Sequence, residues 1–423
     1  MLFKAGDQGR AGSAASMPKL DAATKIPRFG VALLDFPTDE HSGGWAYAHG
    51  DTMPRRFSVL AELPNDAIWV TQNERVTPGR NVGRNVRPSH FLRTNLKQIA
   101  ADLGDRLDGG PSAATAKMLG SLVHRAAMTA IAAYGWPNPM AALSAPTLTE
   151  DIRNTLQLDR PPTEIAAHIF AAYQSYSTVN MGGFATDMAF VNLRMNRLHF
   201  ARKLLSYRAP AGSWHYRNIG GQYSGIDEWL DPNSPTLVEA TIEFDDTDPE
   251  MILLMAIGNS PASRSAATSL RKWFTSVELS WIRRYARVHV NSVLINDQML
   301  DLPPRMRLPS ALVDEPLLAM SPAVGLVAES HWAAFAAPSY DSKSGTRSMI
   351  NAQGVWVRAH DRRLCFERAL VLHKRGFQVT GYGNGSIVVK CARPNLPALL
   401  DAADEIEAQY PVFSRVFEEH GIH

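Results

Sequence analysis

Two apolar runs, Phe377 to Tyr382 and Ser386 to Cys391, flank Gly383-Asn384-Gly385, and few folds accommodate that arrangement. Asn-Gly supplies the left-handed residues that a tight hairpin loop requires, so the runs are expected to pair antiparallel. Around them the pattern predicts a strand over Gly354 to Ala359 and a helix over Asp361 to Lys374. A second helix follows over Asn395 to Gln409, capped by Asn395 with Pro397 in its first turn. The expected unit is βαββα, half of the ferredoxin-like plan that also serves RNA-binding domains. Arg375-Gly376-Phe377 with Tyr382 partly matches the RNA-binding pattern of such domains, but Val379 stands where a base-stacking aromatic belongs. The hairpin therefore reads as structural.

Three further segments carry a helical period. Ala114 to Tyr134 places Met118, Leu122, Ala126 and Ala130 in one row, and it ends at Gly135 with Pro137 beyond. Ala189 to Tyr207 sets Val191, Met195, Leu198 and Leu205 against Arg194, Arg197, Arg202 and Arg208. Leu270 to Val288 sets Leu270, Phe274, Val277, Trp281 and Val288 against Arg271, Lys272, Arg283, Arg284 and Arg287. Phe29 to Asp35 and Ala67 to Thr71 read as short strands. The expected fold class is α+β: a mainly helical body over 28–300, a Pro-rich crossover over 301–353 and the βαββα unit over 354–423. Residues 1–27 have no period and are expected to form an extended N-terminal arm, within which Met17 offers an alternative start.

Composition narrows the function classes. Of 43 basic residues ten are Lys and 33 Arg, beside 15 Met and 9 Trp, the balance of a surface that is covered by other subunits. A GC-rich coding sequence produces the same excess of Arg without any functional purpose. Two cysteines, Cys365 and Cys391, exclude a disulfide framework and a Cys-based zinc site. The longest apolar run, Met251 to Ile257, is too short to span a bilayer, and no signal-peptide core opens the chain. An intracellular, cytoplasmic protein without a membrane partner is expected.

Charge is unevenly spread. The net charge is only +2, yet Arg75, Arg80, Arg84, Arg87, Arg93 and Lys97 fall in one stretch that holds no Asp or Glu. Gly79-Arg80-Asn81-Val82 is followed at once by Gly83-Arg84-Asn85-Val86, a spacing that excludes a regular helix. Glycine-freed amides and planar guanidinium forks are strong phosphate donors, so these six residues are the candidate nucleic-acid contacts. The plainer alternative is a solvated loop balanced by acids elsewhere. A second stretch interleaves Tyr207, Trp214 and Tyr216 with Arg208 and Arg217, the composition of protein interfaces and of base-stacking surfaces.

Catalytic motifs are imitated rather than present. Gly258-Asn259-Ser260-Pro261-Ala262 resembles the nucleophile elbow of serine hydrolases, for which Asp297 or Asp314 and His331, His360 or His373 would complete a triad. Asp248 with Pro249 is a helix start, however, and an elbow needs a strand there. Phe244 to Pro249 resembles a segment of glutamyl-tRNA synthetases, without their nucleotide-binding signatures anywhere in the chain. Glu243, Asp245, Asp246 and Asp248 read as a solvated acidic turn rather than a cation site. Lys343-Ser344-Gly345-Thr346 resembles a box of penicillin-recognising enzymes but lacks a buried serine partner. His41, His49 and Asp51 follow no common metal spacing, and no phosphate-binding glycine loop or H-E-x-x-H motif occurs. No catalytic residue, metal or cofactor is assigned. The expectation is a non-enzymatic, self-assembling subunit, coat-like or filament-like, that partners itself and contacts nucleic acid through phosphates. A monomeric nucleic-acid-binding or regulatory protein and a serine hydrolase using Ser260 are the alternatives.

Overall fold

The computed structural model describes most of residues 28–409. Segments 1–27, 77–82, 136–147, 157–162, 180–186, 220–225, 245–252, 257–268, 313–320, 339–349 and 410–423, with scattered shorter stretches, lie outside the described residues. The expected N-terminal arm, Ser260 and Lys343 to Thr346 are therefore outside them too. No helix among the described residues is long and apolar enough to cross a membrane.

The chain begins with a mixed sheet of β1 (Arg28–Leu34), β2 (Gly44–Ala48), β3 (Arg55–Phe57), β4 (Ala67–Thr71) and β5 (Val86–Arg87), in the order β3-β2-β1-β4-β5. Strand β1 runs antiparallel to β2 and parallel to β4. Its continuous apolar run has a physical cause: Phe29, Val31 and Leu33 enter the main core, while Ala32 and Leu34 join Ala46, Ala48 and Phe57 in a smaller one. Alternate residues point to opposite faces, and here both faces are covered. A small hairpin, β6 (His90–Phe91) and β7 (Thr94–Asn95), leads into α1 (Leu96–Asp102) and then α2 (Ala113–Tyr134). The Ser112 hydroxyl caps α2 by accepting from the Thr115 amide, and Gly135 ends it at φ 61°. Helix α2 lies close on the sheet because Gly120 has no side chain. A Cβ there would sit 2.5 Å from the Tyr47 carbonyl oxygen.

The middle of the chain corrects two helix expectations. After α3 (Thr163–Ala172) and β8 (Tyr176–Thr178), the segment expected as one helix divides into β9 (Met188–Met195) and α4 (Arg197–Leu205). Burial alternates along β9, and Asn196 caps α4 by accepting from the His199 amide. Following β10 (Ala209–Pro210), β11 (Trp214–Asn218), α5 (Ile226–Trp229) and β12 (Thr236–Glu243), the second expected helix becomes β13 (Ser269–Thr275), α6 (Ser276–Ile282) and the start of β14 (Arg287–Asn296). Thr275 and Glu278 form a reciprocal capping box that starts α6 at that point. Ladder partners decide the rest: β13 pairs along its length with β12, in a sheet ordered β11-β14-β12-β13. Strand β15 (Met299–Leu300) pairs with β10.

The C-terminal unit is corrected as well. After α7 (Pro322–Phe335) comes a single 23-residue helix, α8 (Ala352–Lys374), so Gly354 to Ala359 is its first turns and not a strand. Val355, Trp356 and Val357 imitate a strand because α8 is buried nearly all round, which puts apolar residues on every face. The hairpin of β16 (Gln378–Gly383) and β17 (Ser386–Ala392) is as expected, with Asn384 at φ 54° and Gly385 at φ 65° in the turn. Helix α9 (Leu396–Glu405) and β18 (Ala408–Gln409) complete the described chain. Strand β17 pairs with β9 from far upstream, giving a sheet ordered β18-β9-β17-β16-β8. The fold is mixed α+β, and its body is sheet-rich rather than mainly helical.

Candidate functional site

Asp361 is the residue around which the site is built. Wholly buried on α8, it accepts the Asn384 amide at one carboxylate oxygen and the Gly385 amide at the other, each at 2.8 Å. The Cys365 thiol, 3.6 Å away, donates to the same group. Burial pushes the Asp361 carboxyl upward, opposed by Arg358 and by the two amides. The carboxylate pins the tip of the β16–β17 hairpin to α8, and Asn384 is thereby held against Arg358. The Arg358 Nη1 group donates to Asn384 Oδ1 at 2.5 Å, and its guanidinium lies 4.6 Å from the centre of the Trp332 ring.

Strand β9 completes the floor. Its Asn192 and Arg194 stand opposite Val388 and Ser386 of β17. From α7, Glu329 accepts Arg194 Nη1 at 2.7 Å and also the Nε of Arg197. Burial alone would raise Glu329, but the Arg194 and Arg197 guanidiniums more than offset it and hold the carboxyl below its ordinary range. Asn192, Arg194, Glu329, Arg358 and Asn384 line a cavity of about 490 Å³, together with residues that include Thr94, Gln98, Tyr173 and Tyr176. Asn192 Oδ1 is buried with no hydrogen-bond partner among the described residues. Burial pushes the Tyr176 hydroxyl up to about 12, so it is a neutral donor. Among the described residues, Glu329 is the one carboxylate of the lining, and no cluster of three or more His, Cys, Asp or Glu able to hold a metal occurs.

Among the described residues, none of the candidate basic residues lines this cavity. Arg80, Arg84 and Arg93 are outside the described residues. Arg75 is exposed after β4, and Lys97 is exposed on α1, next to the cavity-lining Gln98. Arg87 is half-buried on β5, where desolvation lowers its pKa and Nη1 donates to the Val86 carbonyl at 3.1 Å. The segment is thus partly short strand, in β5, β6 and β7, rather than loop throughout.

The aromatic stretch is engaged within the chain. Tyr207 stacks on His360 at 3.8 Å, and Trp214 packs 6.2 Å from Trp356. Arg208 donates to the Met299 carbonyl, and the Tyr216 hydroxyl donates to Ser292 Oγ at 3.1 Å. Tyr207 and Trp214 thus pack on residues one turn apart on α8, whereas Tyr216 and Arg217 are exposed on β11. The histidines and Asp297 named for a triad are dispersed: Asp297 pairs with exposed His215 at 2.9 Å, whereas His331 and His360 are buried.

Sequence reasoning missed Asn192, Arg194, Glu329, Arg358 and Asn384 as site residues. One signal was present, since Arg358, Asp361, Arg362 and Cys365 recur at three- and four-residue spacing along one segment.

No family model matches the chain, and no curated protein does. Among solved structures, Phi29 DNA polymerase with primer-template DNA, in a post-translocation binary complex, is similar at a TM-score of 0.45 and 12% identity, over 86% of this chain and 80% of that one. The same polymerase with single-stranded DNA gives a TM-score of 0.44, and its ternary complex with primer-template DNA and incoming nucleotide 0.42, at the same identity and coverage. These solved structures are DNA polymerase chains, whereas the expectation from the sequence was a non-enzymatic, self-assembling, coat-like or filament-like subunit.

Proposed function

We propose that this chain binds a nucleic-acid strand and lodges a phosphate or a nucleotide of it in the cavity between Arg194 and Arg358. The observation that carries the proposal is the lining itself: the guanidiniums of Arg194 and Arg358 with the side chains of Asn192 and Asn384 around about 490 Å³. That volume is in the range of small-ligand sites, roughly 300–1,000 Å³. Guanidinium forks match phosphate oxygens in charge and in planar geometry.

The basic segment adjoins the cavity in sequence: Thr94 and Gln98, which line it, belong to the same stretch as Arg75, Arg80, Arg84, Arg87, Arg93 and Lys97, and these six are the proposed phosphate contacts of the strand. Phosphate contacts along it set affinity without reading sequence, and binding weakens steeply with salt.

Fluorescence anisotropy with a labelled single-stranded oligonucleotide, over a salt series, tests the reading. Asn384→Asp places a carboxylate beside Arg358 without disturbing the turn, because Asp tolerates the left-handed conformation. It is expected to weaken binding about tenfold, or about 1.4 kcal/mol. Replacing Arg80, Arg84 and Arg87 together by Ala is expected to reduce the salt slope while melting stays cooperative. Equal affinity for wild type and Asn384→Asp would remove the cavity from the proposal, and no binding at low salt would remove the whole of it.

A further inference from the structure

Buried charge collects in a second place, the seam where α6 packs on α8. Glu278 and Arg362, both wholly buried, meet there through Glu278 Oε1 and Arg362 Nη2. One turn along each helix, the Trp281 ring stacks on Phe366 with centroids 4.3 Å apart. The other oxygen of Glu278 is occupied by Thr275, whose amide donates at 3.1 Å and hydroxyl at 3.0 Å. Only donors are left over. Arg362 Nε, Arg362 Nη1 and Trp281 Nε1 are buried and have no hydrogen-bond partner among the described residues.

The charge count points the same way. Lys272, whose ammonium donates to Gln174 Oε1 at 3.1 Å, interacts with both Glu278 and Arg362. On α8 the neighbours of Arg362 are Arg358 and Asp361. Arg358 and Asp361 pair with each other at 3.9 Å beside the cavity, so in the seam two cations, Lys272 and Arg362, stand against one carboxylate, Glu278. An excess positive charge in a dry interior favours a bound counter-charge.

We propose that the α6–α8 seam holds one small monovalent anion of halide size, bound by Arg362 Nε, Arg362 Nη1 and Trp281 Nε1. A halide brings what the seam lacks, a negative charge that accepts several N–H groups and donates none. A water molecule would bring two hydrogens of its own to a place where the nearest carboxylate is already engaged. The site is separate from the cavity and does not rest on nucleic-acid binding.

Bromide-soaked crystals and thermal unfolding in chloride, bromide and gluconate at equal ionic strength test it. The expected result is one anomalous peak at Arg362 and Trp281, with melting temperatures roughly 2–4 °C higher in the halides than in gluconate. Trp281→Phe keeps the ring stack and removes one donor, so it should shrink that difference; Arg362→Met should abolish it. Should Arg362→Met fail to fold, Trp281→Phe still decides. A blank bromide map, or an oxygen of the chain itself seated on Arg362 Nε, overturns the proposal. A peak with equal melting temperatures in all three anions also overturns it and marks an adventitious ion only.

Discussion

Replacing Asp361 by Asn probes the joint that holds the site together. The carboxylate accepts the Asn384 and Gly385 amides at separate oxygens, each at 2.8 Å, while wholly buried. An asparagine keeps one acceptor and turns an NH₂ toward the other amide. One charge-assisted bond is lost, about 1.5–3 kcal/mol, and one buried N–H is left unpaired, about 1–3 kcal/mol. Because burial already disfavours the charged form of Asp361, the lower halves of these ranges apply, and the expected cost is about 3 kcal/mol. Urea unfolding followed by circular dichroism measures it, and oligonucleotide anisotropy on the same variant reads the effect on Asn384, which lines the cavity. Stability within about 0.5 kcal/mol of wild type, the range of an inconsequential surface change, would refute the argument that the hairpin tip hangs on this carboxylate.

Two further outcomes follow from packing and protonation. His331 Nε2 donates to the Met306 carbonyl at 3.0 Å, so Nδ1 accepts the Tyr134 hydroxyl at 2.6 Å, and the neutral ring is satisfied. Burial lowers His331 from 6.5 to about 4 and His360 to about 3. Folded values below the unfolded one mean that this contribution is present above pH 6.5 and lost as pH falls through about 4, then 3. His331 alone accounts for on the order of 3 kcal/mol. Urea midpoints across that window should fall, with a shallower fall in His331→Gln; a flat profile contradicts the tautomer and burial argument. Gly120→Ala should destabilise by about 1–2 kcal/mol, since the helix gain of about 1 kcal/mol is outweighed by forcing a methyl against the Tyr47 carbonyl oxygen. A raised urea midpoint in that variant would show that α2 has room to shift.

Features decided by neighbouring residues are legible in the sequence. Asn384-Gly385 specifies a tight turn because both positions take positive φ, and Gly135 stops α2 for the same reason. The apolar strands β1 and β4 and the long α2 also stand where their patterns put them. The failures share a cause. Segments 189–207 and 270–288 are short, apolar and arginine-rich, so their spacing satisfies a helix and a strand about equally. Partners far away in the chain broke the tie: β17 for β9, and β12 for β13. At 354–359 the β-branched residues indicated a strand, yet Asn351 caps a helix there and the core surrounds it.

By itself, then, the sequence determined the hairpin, the long helix, the N-terminal strands and the basic stretch, each a matter of local backbone preference or local charge. Only the tertiary structure decided that Arg194, Glu329, Arg358 and Asn384 share one cavity, because they arrive on β9, α7, α8 and a hairpin turn. No spacing in the chain encodes such a meeting. It depends on which strands pair and which helices pack, and those are long-range choices settled by burial of the whole core.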